Sequence, residues 1–261
     1  MQLGAMNNPA KGVYDEVSWI VERFDFVDLT LEPPGADAAA IKIDKLKAAL
    51  NGKKIVGHTA WYLPFASPYP SVRKAALDEL LKCLRVFSQL ECRLMNVHIG
   101  AVHRFFRDDA AGWYAEILGS VADEAKKSGI AIMVEHMNAT ERHLELVEDI
   151  LKAVPEVKFH LDVGHANIGN DSFSDALKML FKRFGKKLAH VHISDNNGKE
   201  DLHLPLGSGT MNVAQVVQLL RSKYDGTITL EVFSRDRDYI LMNAKKFREL
   251  WKNSSNNKDE R

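Results

Sequence analysis

The sequence predicts an α/β fold, a single closed (β/α)8 barrel, and three observations carry the prediction. Apolar runs of strand length alternate with longer amphipathic stretches from end to end. Eight such strand-then-helix units follow one another with no linker-like stretch between them. The strand runs are rich in Val, Ile and Leu and nearly continuously apolar, as strands covered on both faces are. A length of 261 residues suits this architecture, since α/β barrels commonly reach about 250 residues as one domain. The structural rival, a doubly wound open sheet, usually carries a Gly-rich first turn, and no GxGxxG occurs in the chain.

In chain order the predicted strands are residues 3–6, 26–31, 54–58, 94–99, 130–135, 158–162, 188–193 and 227–232. Between them the clearest helical patterns run over 72–90, 110–127, 141–153, 173–184 and 213–223. In the first of these, Ala76, Leu77, Leu80, Leu81, Leu84 and Phe87 recur at helical spacing. Ser128-Gly129, Pro155, Gly185 and Asp225-Gly226 punctuate the ends of helices before the next strand begins. The barrel domain is therefore placed at 1–251, and the low-complexity tail KNSSNNKDER, 252–261, is expected to fray into solvent.

Composition narrows the function classes. Lys+Arg 35 balances Asp+Glu 35, so no net field steers the chain onto nucleic acid or an anionic membrane. At 46% hydrophobic and 27% charged residues the chain is globular rather than disordered or fibrous. Its apolar runs are far shorter than the ~20 residues of a membrane span. The start, MQLGAMNNPAKG, has no basic segment leading into an apolar one, so no signal peptide is expected. Only Cys83 and Cys92 occur, with neither metal-type spacing nor enough partners for a disulfide framework, which points to reduced thiols and a cytoplasmic protein. Trp113-Tyr114 is read as an exposed apolar pair that could serve a homo-oligomer interface.

Polar residues fall at one position in the pattern. Successive strand runs end in Glu32, His58, His98, Glu135, Asp162, His192 and Glu231. In a (β/α)8 barrel the C-terminal strand ends surround the active site. Taken singly, His58 or His98 in an apolar strand reads as a hydrogen-bonded core histidine. Together, four carboxylates and three imidazoles in one mouth would be costly without compensation, and a divalent cation supplies it. His160 and His190 stand two residues before the strand-end residues of their own strands, one layer deeper, and are read as packing residues.

Two local motifs extend the set. In HLDVGHAN, 160–167, His165 follows Asp162 by three residues, so the first turn can aim both inward. In HVHISDNNGKEDLHLPLGSGTMN, 190–212, a polar loop after His192 brings in Asp201 and His203. Leu206-Gly207-Ser208-Gly209 offers backbone N–H groups to an anion such as a phosphate, with a plain turn as the simpler reading. Trp61, Tyr62 and Phe65, after the third strand, could stack on a bound ligand or form an apolar lid.

The stretches HLDVGHAN, HVHISDN and DLHLPLGSGTMN resemble the xylose-isomerase-like TIM barrel superfamily, and most closely its sugar phosphate isomerase/epimerase branch. The resemblance runs from Gly57-His58-Thr59-Ala60 to Thr229-Leu230-Glu231-Val232-Phe233. It implies one divalent ion, commonly Mn²⁺, held by Glu135, Asp162, His192 and Glu231, with His165 on the substrate; Trp61, by its place after the third strand, is a further substrate-binding candidate that would stack on a sugar face. A small-molecule sugar or sugar phosphate would react by proton transfer through a metal-stabilised enediolate, with Glu135 and Glu231 as the acid–base pair. The related endonuclease IV enzymes implied an alternative, a multi-zinc abasic-site phosphodiesterase. Residues of the right type stand at all its ligand places, adding His58, His98, His165, Asp201 and His203 to the four. The donor set thus allows one to three ions, Mn²⁺ or Zn²⁺ first and Mg²⁺ or Co²⁺ as further candidates. The balanced charge and the shortness of the basic clusters near Arg104, Lys186 and Arg235 speak against a duplex-DNA partner.

Overall fold

Each strand of the chain pairs in parallel with the strand before it and the strand after it, and the last returns to the first. In the computed structural model, which describes residues 1–100, 102–170 and 172–254, the strands are β1 (Gln2–Met6), β2 (Phe26–Leu31), β3 (Ile55–Thr59), β4 (Leu94–Ile99), β5 (Ala131–His136), β6 (Lys158–Asp162), β7 (Leu188–Ile193) and β8 (Thr227–Leu230). They close in the order β1 to β8, with Gln2 opposite Thr227 sealing the seam. A closed parallel sheet has no edge to protect, and its strands are buried on both faces, hence the near-continuous apolar runs. No strand boundary departs from the sequence reading by more than two residues.

The outer layer consists of α1 (Val13–Val21), α2 (Ile43–Leu50), α3 (Pro70–Gln89), α4 (Arg107–Lys127), α5 (Glu141–Ala153), α6 (Val163–Asn167), α7 (Phe173–Phe184), α8 (Val213–Lys223) and α9 (Asp238–Asn253). Pro70 opens α3, where its missing N–H costs nothing, and Ala76, Leu80, Leu84 and Phe87 are buried along one stripe. Phe87 lies so close to β3 that a Cβ on Gly57 would stand 2.8 Å from its ring, so only glycine fits there. The main apolar core fills the space between barrel and helices. A separate small cluster, Phe26, Val56 and Met133, lies among the strands. Among the described residues no helix is long and apolar enough to cross a membrane.

Three expectations need correction. Tyr114 is not exposed: it is 2% accessible and packs its ring against Phe65, while Trp113 is half-buried under the Arg73 guanidinium. That pair offers no apolar interface. Phe65 belongs to the same core, so of the three aromatics after β3 only Trp61 and Tyr62 are exposed. Helix α9 runs on through Lys252 and Asn253, which the sequence assigned to the tail, and the rest of that tail from 255 onward lies outside the described residues. Cys83 and Cys92 are free and buried, and burial pushes each thiol up to about 12.

Candidate metal centre and active site

Register carries the strand-end residues to one level. Across β4 and β5 His98 is opposite Glu135, and across β6 and β7 Asp162 is opposite His192. Paired residues of a parallel sheet project to the same side, so these four share the barrel interior. Glu135, Asp162, His192 and Glu231 each offer one ligand atom, and these atoms all lie within 4.8 Å of one another. A second set, His58, His98 and Glu135, meets the same criterion, as does His58 with His192 and Glu231.

The local reason for the position of Asp162 is a helix cap. Its Oδ1 accepts the His165 N–H at 2.6 Å, so Asp162 is the N-cap of α6, and the three-residue spacing is that of a cap and its third residue. Oδ2 is then left buried with no hydrogen-bond partner. Burial pushes the Asp162 carboxyl up to about 7; His165 opposes this, while Glu231, Glu135 and Asp201 reinforce it.

The two glutamates sit in different company. Glu135 Oε2 accepts from Asn96 Nδ2, lies 3.2 Å from His98 Nε2 and 3.1 Å from His160 Nδ1, and has His58 Nε2 at 3.8 Å. Burial favours its neutral form, yet His160 and His98 hold it well below the usual carboxylate range. Glu231 Oε2 is 3.0 Å from His192 Nδ1 and 3.7 Å from His203 Nδ1. Against burial, His192 and His203 bring it down to about 2. Both are ionised, and both can accept a proton.

His165 lies between acceptors on both sides. Its Nδ1 donates to the His136 carbonyl at 2.8 Å, with Glu135 Oε1 at 3.4 Å, and Nε2 is 3.0 Å from Asp201 Oδ2. Burial opposes the charge, but Asp162, Asp201 and Glu135 hold the ring protonated. Asp201 also reaches His203 Nε2 at 3.1 Å, so the loop after β7 folds its Asp-x-His onto the mouth. His203 is pushed up to about 9 by Glu231 and Asp201 acting against burial. All nine residues that the sequence proposed as ligands thus join one hydrogen-bonded and ionic network, while only Glu135, Asp162, His192 and Glu231 form a four-donor centre. Glu32 is half-buried at the rim, its carboxyl raised by burial. Trp61 is 57% exposed and stacks edge-on with Tyr62 beside the mouth.

Sequence reasoning missed the layer beneath. His160 and His190 are more than packing: His160 serves Glu135, and His190 donates to Asp28 Oδ2 at 3.2 Å. Asp28 is fully buried in β2, where burial is outweighed by His192 and His190, which keep it ionised. A signal was present, because Asp28 and Thr30 are the polar residues of the run FVDLTL and alternate onto one face.

The Gly-rich loop after β7 is no anion cradle. Its donors are already taken by the buried Asp195, whose Oδ2 accepts Gly207 N at 2.8 Å and Gly209 N at 3.0 Å, while Oδ1 accepts Asn196 N at 2.9 Å and Met211 N at 3.3 Å. A Cβ on Gly209 would stand 2.1 Å from the Asn196 carbonyl oxygen, which explains the glycine. Asp195→Ala is expected to leave four backbone donors without a partner and to lower the unfolding free energy by about 3 kcal/mol in urea titrations. An unchanged midpoint would mean that the loop does not depend on this carboxylate.

Of the basic clusters, Lys187 donates to the Leu151, Pro155 and Val157 carbonyls at 3.3, 2.6 and 3.3 Å, and Arg237 pairs with Glu16. Neither is a free cation waiting for a phosphate.

The donor chemistry fits a divalent cation on the structure's own terms: three carboxylates and an imidazole converge, one carboxylate oxygen is orphaned, and burial makes their joint ionisation costly. Comparison with known proteins bears on the family and the fold. The chain is 29% identical over 144 residues to the uncharacterized protein MJ1614 of Methanocaldococcus jannaschii, covering 54% of this chain and 55% of that one. It is 31% identical over 176 residues to D-psicose 3-epimerase of Agrobacterium fabrum, covering 60% and 57%. The chain therefore spans little more than half the length of these curated relatives. In fold it is similar to the crystal structure of a D-tagatose 3-epimerase-like protein, with a TM-score of 0.84 at 23% identity over 98% of this chain and 99% of that one. The sequence profile of the xylose isomerase-like TIM barrel matches residues 21–253. Fold, strand-end donors and profile agree, and the chain belongs to the xylose isomerase-like TIM barrel family.

Proposed function

We propose that the protein is a divalent-metal-dependent sugar epimerase or isomerase, with Glu135, Asp162, His192 and Glu231 as ligands. The observation that carries this reading is the convergence of those four donors within 4.8 Å of one another, with Asp162 Oδ2 lacking a hydrogen-bond partner. The epimerase names of the relatives support the same class. Oxygen-rich ligation with one imidazole suits Mn²⁺ or Mg²⁺ best, with Zn²⁺ and Co²⁺ as further candidates. Bound there, such an ion would polarise a carbonyl and the adjacent hydroxyl and so acidify the C–H of the hydroxyl-bearing carbon.

The rest is the work of the chain. Glu135 on β5 and Glu231 just past β8 are ionised bases at different places on the ring of strands. One takes the proton from the substrate carbon and the other returns a proton to the opposite face, which inverts that carbon. His165 is doubly protonated, with Nδ1–H on the His136 carbonyl, and its Nε2–H would pass from Asp201 to a substrate oxygen. Trp61 and Tyr62, exposed at the rim, cover an apolar sugar face. With the donors of Gly207 and Gly209 spent on Asp195, the loop after β7 favours an unphosphorylated substrate.

The His58, His98 and Glu135 cluster favours a second reading, a multi-zinc phosphodiesterase. Elemental analysis with a substrate screen separates the two. The epimerase reading expects near one ion per chain and Mn²⁺-dependent interconversion of at least one free ketohexose pair. Near three zinc ions with cleavage of abasic DNA, and no sugar turned over, would replace it with the second.

A further inference from the structure

The interior of the barrel holds a carboxylate that touches the proposed centre only through another residue. Asp28 Oδ2 accepts the His192 Nε2–H at 2.8 Å and the Thr229 hydroxyl at 2.7 Å, and has His190 Nε2 at 3.2 Å. The chain separation is large, with β2 reaching toward β7 through the inside of the barrel. His190 is itself fixed, its Nδ1 2.7 Å from Thr227 Oγ1 and its Nε2 3.0 Å from Thr229 Oγ1. On the far side of the His192 ring, Nδ1 faces Glu231 Oε2 at 3.0 Å and Asp162 Oδ2 at 4.0 Å.

We infer that Asp28 is a positioning residue, which fixes His192 in the Nε2–H form and so presents the Nδ1 lone pair to a divalent cation. A neutral imidazole carries its proton on one nitrogen only. In the metal-free chain Glu231 and Asp28 accept from the two ring nitrogens; an ion entering beside Glu231 would displace the Nδ1 proton, while Asp28, which accepts and cannot donate, keeps the other proton on Nε2. The ring cannot turn over to offer Nε2 instead without giving up the Asp28 bond and burying that carboxylate with one donor fewer. Thr229 and His190 hold Asp28 from two further directions, so the carboxylate is rigid before any ion arrives.

The inference rests on the reading of the mouth as a metal centre, and the experiment separates the two. Mn²⁺ titrations by calorimetry compare wild type with Asp28→Asn, whose amide can turn an N–H toward Nε2 and favour the other tautomer. Wild type is expected to bind near one ion, and the variant to bind roughly 10- to 100-fold more weakly at the same stoichiometry, with metal-free melting close to wild type. Equal affinity in a folded variant overturns the role of Asp28 and leaves the centre standing. No binding by wild type overturns both. Should the variant not fold, the unmutated protein loaded with Zn²⁺ still decides: ¹⁵N spectra are expected to show His192, assigned against His192→Gln, with Nε2 protonated and Nδ1 on the metal. A resonance pattern with Nε2 on the metal overturns the inference.

Discussion

Glu135→Gln and Glu231→Gln are each expected to lower kcat by about 10²- to 10⁴-fold under saturating Mn²⁺ while leaving the fold intact. Glutamine keeps the volume and one acceptor oxygen, so packing hardly changes. It loses the charge and the ability to take a proton, and it leaves His98 and His160 (at position 135) without their charged acceptor, or His192 and His203 (at position 231) without their counter-ion. Because both carboxylates are also ligands, affinity for the ion should weaken, so rates are compared at metal concentrations where each variant is filled. A stricter readout uses D2O. If inversion needs two bases, a variant that keeps one should still wash deuterium into the substrate carbon without inverting it. Variants that both invert at the wild-type rate would remove Glu135 and Glu231 from the acid–base role.

The strands were legible because a closed parallel sheet is buried on both faces, so β2 (FVDLTL) and β7 (LAHVHI) announce themselves as short apolar runs. Helices with strong stripes, such as α5 and α7, were legible to the residue. The short α6 was not, because its five residues carry no period and its existence depends on the Asp162 cap. The convergence of these side chains was legible for a related reason: a charged or imidazole residue that ends an apolar strand has few places to go except the barrel mouth.

What stayed hidden depends on partners far away in sequence. Nothing local to Asp28 says that His192, 164 residues on, will donate to it. Nothing local to Asp195 says that it will collect the amides of Gly207 and Gly209, and so an internal carboxylate occupies the place where an anion seemed welcome. Tyr114 looked exposed beside Trp113 because a helix of low contrast does not reveal which of two adjacent aromatics turns inward.

If the four donors hold a divalent ion as proposed, stripping it is expected to lower the melting temperature by about 5–10 °C, and by more as pH rises. An ion at a hundred times its Kd stabilises the folded chain by about 2.7 kcal/mol, and for a domain of this size each kcal/mol moves Tm by roughly 2–4 °C. The pH dependence comes from Asp162. Its carboxyl lies near 3.8 in a solvated chain and is pushed up to about 7 in the metal-free fold by burial, with nearby carboxylates adding to the effect. Below both values the folded and unfolded chains hold the proton alike. Between them only the folded chain does, so the stability of the metal-free protein falls as pH rises through that window. His203, raised from 6.5 to about 9, has the same sign at higher pH, its contribution being lost as the ring deprotonates. A cation takes the place of the Asp162 proton and cancels that part of the loss, so the gap between loaded and chelated protein should widen from pH 5.5 to pH 8. Asp162→Asn should remove most of the widening by removing the group that titrates. A gap that stays constant with pH in the wild type would mean that Asp162 is not the carboxylate a metal ion must deprotonate.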